Sequence, residues 1–188
     1  MTQHVDGSAF REAVAHFATG VTVITTRVDG RPVGMTASAV TSLSLDPVLL
    51  LVCISKHLST HAAIESSRRF VVNVLGQGQE QIALQFARPS ETTDKFAGVS
   101  LRDEGELPVL EDAIAYFVCD VHERFPGGDH TIFTGLVREC GATPGRQPLL
   151  YFRSRFGRWH DPETEAMKEA LGWDMPSLTG IGPSPRIG

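Results

Sequence analysis

Seven of the eight residues in Val21-Thr-Val-Ile-Thr-Thr-Arg-Val28 are β-branched, and they run directly into Asp29-Gly30. Side chains branched at Cβ are stiff and pack well on a pleated surface, so this run favours a strand. A type I′ turn needs positive φ at both central residues, and Asp-Gly accepts that. Arg31-Pro-Val-Gly-Met-Thr-Ala-Ser38 then resumes extended character. The sequence therefore predicts a tight antiparallel hairpin near its start.

The rest of the chain follows from this frame. Residues 8–18 read as a helix with Ser8 as N-cap, because Phe10, Val14 and Phe17 recur at helical spacing before Gly20. Val40 to Leu45 is a short strand, broken by Asp46-Pro47. Val48 to Ile54 is apolar without alternation, which predicts a strand buried on both faces. A second helix spans 60–67 after Ser59, a strand spans 70–75, and a third helix spans 79–87. Residues 88–112 are polar and turn-rich and read as an irregular crossing. Residues 114–124 and 130–139 alternate about Pro126-Gly-Gly-Asp129 and predict a hairpin. Short strands at 149–152 and 156–159 close the pattern. Tight hairpins dominate and few helices act as crossovers. The fold class is therefore mainly β with flanking helices, an antiparallel sheet closed on itself. No strand-to-helix turn carries GxGxxG, which argues against a doubly wound dinucleotide fold.

Composition narrows the function classes. The 188 residues suit one domain, 41% are hydrophobic, and the formal charge is −5 without a basic run. That disfavours nucleic acid as a partner. Cys53, Cys119 and Cys140 lack CxxC spacing and fit reduced thiols of a cytoplasmic protein. The polar N-terminus does not read as a signal peptide. The longest apolar run is far short of the roughly 20 residues that span a bilayer. His57 and His61 are four apart, but no acidic residue completes a metal set, and GxSxG is absent.

Three segments can carry chemistry. Gly34 to Ser44 is rich in small and hydroxyl residues, which suits close approach to a flat ligand; composition alone favours the plainer reading of a strand turned to solvent. Cys53-Ile-Ser-Lys-His-Leu-Ser-Thr-His61 leads a strand into a helix start. There Ser59, Thr60 and Lys56 can face a phosphate, or Ser59 can serve only as an N-cap. His130 follows a tight turn, where it can contact a ligand or remain structural.

In their order, these segments resemble the flavin reductase family of FMN-binding split barrels, the small reductase components of two-component flavin monooxygenases. The resemblance runs over about residues 8–160, through residues 10–25, Gly34-Met-Thr-Ala-Ser38, Asp46-Pro-Val-Leu-Leu50, residues 59–64, Phe70-Val-Val-Asn-Val74, Gly128-Asp-His-Thr-Ile-Phe-Thr-Gly135 and Pro148-Leu-Leu-Tyr151. It implies an antiparallel Greek-key split β-barrel, a homodimer with flavin sites near the subunit interface. The implied reaction is hydride transfer from NADH or NADPH to N5 of FMN or FAD. Reduced flavin then diffuses to an oxygenase component. The resemblance also implies roles. Met35, Thr36, Ala37, Ser38, Val40, Thr41 and Ser42 line the isoalloxazine and ribityl part. Cys53, Ile54 and Ser55 run beside the ring, and Ser59 and Thr60 hold the phosphate. Phe86, Ala87 and Arg88 approach from the third helix, Tyr151 closes the site, and His130 contacts the nicotinamide.

Two departures stand out. Phe152-Arg-Ser-Arg-Phe156 replaces the glycine and tyrosine that usually follow Tyr151. Residues 161–188 extend past the usual end, as a short helix from Asp161-Pro162 to Gly172 and an irregular tail; packing on the partner subunit or over the site entrance is expected of it. Two other functions suit such a barrel. One is an oxidase of an anionic substrate, for which Arg153, Arg155 and Arg158 are a hint; the other is a flavin-binding protein without catalysis.

Overall fold

The computed structural model describes residues 5–89 and 94–158, so the expectations for residues 159–188 lie outside the described residues. The elements are α1 (Gly7–Val14), β1 (Thr19–Gly20), β2 (Thr22–Val28), β3 (Arg31–Ala37), β4 (Val40–Leu45), β5 (Val48–Ser55), α2 (Ser59–Ser67), β6 (Arg69–Val74) and α3 (Glu80–Ala87). They continue with β7 (Leu101–Glu104), β8 (Leu107–Leu110), β9 (Ala115–Gly127), β10 (His130–Ala142), β11 (Leu149–Phe152) and β12 (Arg155–Arg158).

The β2–β3 hairpin forms as its sequence requires. Val28 pairs with Arg31 across a two-residue loop, with φ of 50° at Asp29 and 75° at Gly30. β2 becomes a central strand because β6 pairs along its other edge. Its threonines then bury their hydroxyls with partners in reach. Thr25 Oγ1 donates to Pro108 O at 2.5 Å, and Thr26 lies 2.7 Å from Arg69 O.

The main sheet has seven strands in the order β3-β2-β6-β9-β10-β5-β4, every neighbour antiparallel. The hairpin β4–β5 joins on the far side of the later hairpin β9–β10, which is a Greek-key return. Ile24 and Ala37 from one end of the sheet share a cluster with Val52 and Ile54 near the other end, around Phe70 and Phe133. The sheet therefore curls round one inner core, with Ile64 of α2 packed into it. The ladder nevertheless stops at β3 and β4. The barrel is split, and the closed sheet expected from hairpin order alone is corrected on this point. A second cluster on the outer face joins α3 (Ala83, Phe86) to Val21, Val23, Leu75 and Leu149.

Other expectations change as well. β5 is not buried on both faces. Leu50, Val52 and Ile54 point inward at 8%, 0% and 0% exposure, while Leu49, Leu51 and Cys53 alternate at half-burial. Inward residues pack on the inner core, and among the described residues no layer covers the outer face of β5. Residues 88–112 are not wholly irregular: β7 and β8 form a hairpin whose loop residues Gly105 and Glu106 have φ of 55° and 69°. α1 is capped by Asp6, not Ser8, because the Asp6 carboxylate accepts from Ser8 N and Ala9 N. In α2, Leu58 holds the cap position and makes no side-chain bond, so Ser59 is the first helical residue.

Candidate functional site

A cavity of about 280 Å³ opens between β3, α3 and the β11–β12 hairpin. Thr36, Ala37 and Ser38 form one wall, Ala83, Leu84 and Ala87 a second, and Tyr151, Ser154 and Phe156 a third, with Val21 at its base. Local sequence explains each wall. Ala83 and Ala87 lie four apart and so share one face of α3. Their small side chains leave the hollow that larger residues would fill. Thr36 Oγ1 donates to Ala83 O at 2.6 Å, tying β3 to α3 across the cavity's edge. Arg153 and Ser154 both adopt positive φ (49° and 60°) in the turn that brings Phe156 back against Tyr151, with ring centroids 5.5 Å apart.

The expected site residues fall into distinct places. Thr36, Ala37, Ser38, Ala87 and Tyr151 meet in this cavity. Met35 and Val40 instead pack half-buried on the inner core, and Thr41 and Ser42 lie exposed on the edge strand β4. Phe86 is fully buried in the outer core, edge-on to Phe96 at 4.9 Å. Arg88 is exposed just past α3. Ile54 is fully buried inside the barrel.

A second group gathers where β5 meets β10. Ser55 stands opposite His130 in register, and Cys53 opposite Ile132. Cys53 N donates to Ala39 O at 3.0 Å, next to Ser38. That bond fastens this group to the cavity's wall. Lys56 Nζ donates to Gly128 O at 2.6 Å, and Lys56 N to Asp129 O at 3.0 Å, fixing the turn before His130. His130 Nδ1 lies 2.8 Å from Asp129 Oδ1. That hydrogen bond holds the Asp129 carboxyl below its ordinary value, so the contact weakens as pH falls through this lowered value. Burial pushes the Cys53 thiol up, which keeps it a protonated, weakly nucleophilic group.

At α2, Ser59 is exposed and lines an open groove with Arg31, Val33 and Ser66, whereas Thr60 is 1% exposed. His61 is structural. Its Nε2 lies 2.8 Å from Thr131 Oγ1, and its ring stacks tilted on Phe133. Among the described residues, no group of three or more His, Cys, Asp or Glu could hold a metal ion, and no helix is long and apolar enough to cross a membrane.

Sequence reasoning missed Val21, Ala83, Leu84, Ser154 and Phe156 as cavity residues. The Ala83/Ala87 spacing was a usable signal. Ser154 and Phe156 were not legible, since they reach the cavity only through the left-handed turn before them.

The cavity fits a planar aromatic ring system. Its walls are mostly apolar, with hydroxyls on two of them, Thr36 and Ser38 on the β3 side and Tyr151 and Ser154 on the hairpin side, which suits an apolar ring that carries polar groups at its edge. Its volume is just below the roughly 300 Å³ at which whole-ligand pockets begin, so it suits a ring and leaves a nucleotide tail outside.

Comparison with known proteins agrees with this geometry. Residues 14–160 match the family model described as flavin reductase like domain. The reductase component of 4-nitrophenol 4-monooxygenase/4-nitrocatechol 2-monooxygenase from Rhodococcus opacus is 45% identical over 157 residues, covering 84% of this chain and 83% of that one. The structure of flavin reductase PheA2 in its native state superposes with a TM-score of 0.78 at 38% identity, covering 84% of this chain and 100% of that one. The Streptomyces globisporus NADH:FAD oxidoreductase SgcE6, in complex with NAD and FAD fragments, gives a TM-score of 0.78 at 36% identity, covering 87% of this chain and 100% of that one. With a family model spanning most of its length and relatives of matching size, this chain belongs to the family of flavin reductase like domain proteins.

Proposed function

We propose that this protein is the NADH-dependent flavin reductase of a two-component monooxygenase, with FAD as its flavin and the cavity between β3, α3 and β11–β12 as the flavin ring's seat. The observation that carries the reading is the cavity itself. Five residues from three separate elements, Thr36, Ala37, Ser38, Ala87 and Tyr151, converge on one ring-sized hollow. The relatives' names support NADH and FAD over NADPH and FMN.

A bound flavin supplies two-electron chemistry that no side chain has, accepting the pair that a reduced nicotinamide gives up. The chain's own part is positioning. The Thr36–Ala83 bond fixes the spacing of two walls. Leu84, Tyr151 and Phe156 offer apolar surface that keeps water from the ring. Main-chain N–H groups along 36–38 would serve as donors to negative charge on a ring bound in this cavity. His130, held by Asp129, orients the nicotinamide carboxamide. Holding two rings stacked supplies the effective concentration that speeds transfer.

The protein acts as a cytoplasmic homodimer that releases reduced flavin to its oxygenase by diffusion. Exposed Phe10, Val14 and Phe17 on and after α1, with Leu45 on β4, support a second copy as the cover for these apolar residues. The test is oxidation of NADH and NADPH with FAD or FMN in excess. Turnover with NADH that rises with free FAD is expected. Tight flavin binding with no such turnover would move the reading to a substrate oxidase or a flavin carrier.

A further inference from the structure

A second hollow, of about 510 Å³, lies beside the cavity. Gly76, Gly78 and Gln79 ahead of α3 form one side; Gly145 and Arg146 ahead of β11 form another; Arg158 closes β12. The loops are fastened to each other before any ligand arrives. Gln77 N donates to Gln147 O at 2.8 Å, and Gly76 bridges to Pro148. Gly78 and Gly145 have φ of 92° and 79°, and open space stands where a Cβ would lie. Their backbone is therefore open to close approach by a phosphate.

The charges point the same way. Arg146 Nη1 donates to Asp112 O at 3.0 Å and lies 3.9 Å from Asp112 Oδ1, an exposed and therefore weak ion pair that orients the guanidinium and leaves most of its five N–H groups unused. Arg158 forms no ion pair among the described residues. Asp112 and Glu80 stand nearby, but neither lines the hollow. Gln79 adds an independent sign. Its Oε1 accepts from Gly76 N at 2.6 Å, while its buried Nε2 has no acceptor among the described residues. A buried amide donor left unmatched is costly, and an anion's oxygen would match it after a small side-chain rotation.

Position gives the ligand class. At the start of α3, the cap residue Gln79 lines this hollow and Ala83 the ring cavity, four residues or about 6 Å apart. On β12, Arg158 lines this hollow and Phe156 the cavity, about 6.6 Å apart. The two hollows are thus separated by roughly the reach of one sugar unit. We propose that the Arg146/Arg158 cleft binds the pyrophosphate tail of a dinucleotide whose ring occupies the neighbouring cavity. This rests on the reading of the protein as a flavin reductase. The tail can belong to the nicotinamide or to the flavin nucleotide, since both carry the same diphosphate.

The test compares the full-length protein with its Arg146→Gln/Arg158→Gln variant; both side chains are exposed, so the melting temperature should not change. ADP, which has the diphosphate and neither redox ring, is titrated by calorimetry. We expect the variant to bind it at least about tenfold more weakly, the worth of one to two charge-assisted hydrogen bonds. Kinetics with NADH against reduced nicotinamide mononucleotide, and with FAD against riboflavin, assign the source. A raised KM for NADH alone identifies the nicotinamide tail, and a raised KM for FAD alone identifies the flavin tail. Unchanged ADP binding, or equal losses for the truncated and the full nucleotides, would overturn the proposal. Absence of flavin-dependent turnover in the unsubstituted protein would instead sink the reductase reading and leave the ADP result standing.

Discussion

Asn73 shows how much one side chain can hold. It is fully buried in β6; its Nδ2 donates to Val23 O at 3.0 Å and Thr25 Oγ1 at 3.1 Å, and its Oδ1 accepts from Leu110 N at 2.9 Å. It joins the central strand to β2 and to the β7–β8 hairpin. Asn73→Ala strands the Leu110 N–H and two acceptors, so urea unfolding should show a loss of about 2–4 kcal/mol; a loss near zero would mean water replaces all three bonds. The sequence showed Asn73 only as a polar residue in an apolar strand, because its partners come from 50 and 37 residues away. The thiols make a second residue-scale prediction. Cys140 is exposed, Cys53 is half-buried with a raised pKa, and burial pushes Cys119 up to about 12. A thiol reagent near neutral pH should label Cys140 first, Cys53 slowly, and Cys119 only on unfolding. For His130, replacement by Ala should raise KM for NADH severalfold and leave FAD affinity nearly unchanged; the reverse split would remove its assigned role.

Elements read from local pattern were legible where local chemistry decides. Asp29-Gly30 and the β9–β10 alternation suffice for their hairpins, since turn type and period are set within a few residues. β7–β8 escaped notice because its turn reads Gly-Glu, which puts a non-glycine residue in the left-handed second position. β5 read as doubly buried because an apolar run does not say which layers cover it. The cavity was partly legible for the same reason. The β3 wall is a continuous segment, but the α3 and β12 walls are assembled by tertiary contact. The junction of β3 with α3 can be tested at Gly34. A Cβ there would sit 2.8 Å from Phe86 Cε1 and 3.1 Å from Ile24 O. Gly34→Ala should therefore destabilise the protein by about 1–3 kcal/mol through overpacking. A melting temperature equal to that of the unsubstituted protein would show that Phe86 yields freely.

At the scale of the whole molecule, one curled sheet separates two tasks. Its inner core supplies stability, and its outer face, with α3 and the β11–β12 hairpin, shapes a ring-sized hollow. The proposed homodimer assigns a second copy as the cover for the apolar residues left exposed. Phe10 and Phe17 are 61% and 76% exposed, and α1 buries no residue. Phe10→Asp combined with Phe17→Asp should shift the sedimentation mass from two chains to one; a dimer that persists would place the interface elsewhere, for example on β4. The central claim concerns the cavity. Ala87 ends α3 on its wall, and a tryptophan there would fill the space a flavin ring needs. The most direct measurement is equilibrium titration of FAD against the Ala87→Trp variant by fluorescence, with melting temperature as a control for folding. The account predicts FAD affinity lowered at least about tenfold with the fold intact. Undiminished affinity in a folded variant would place the flavin outside this cavity and contradict the account.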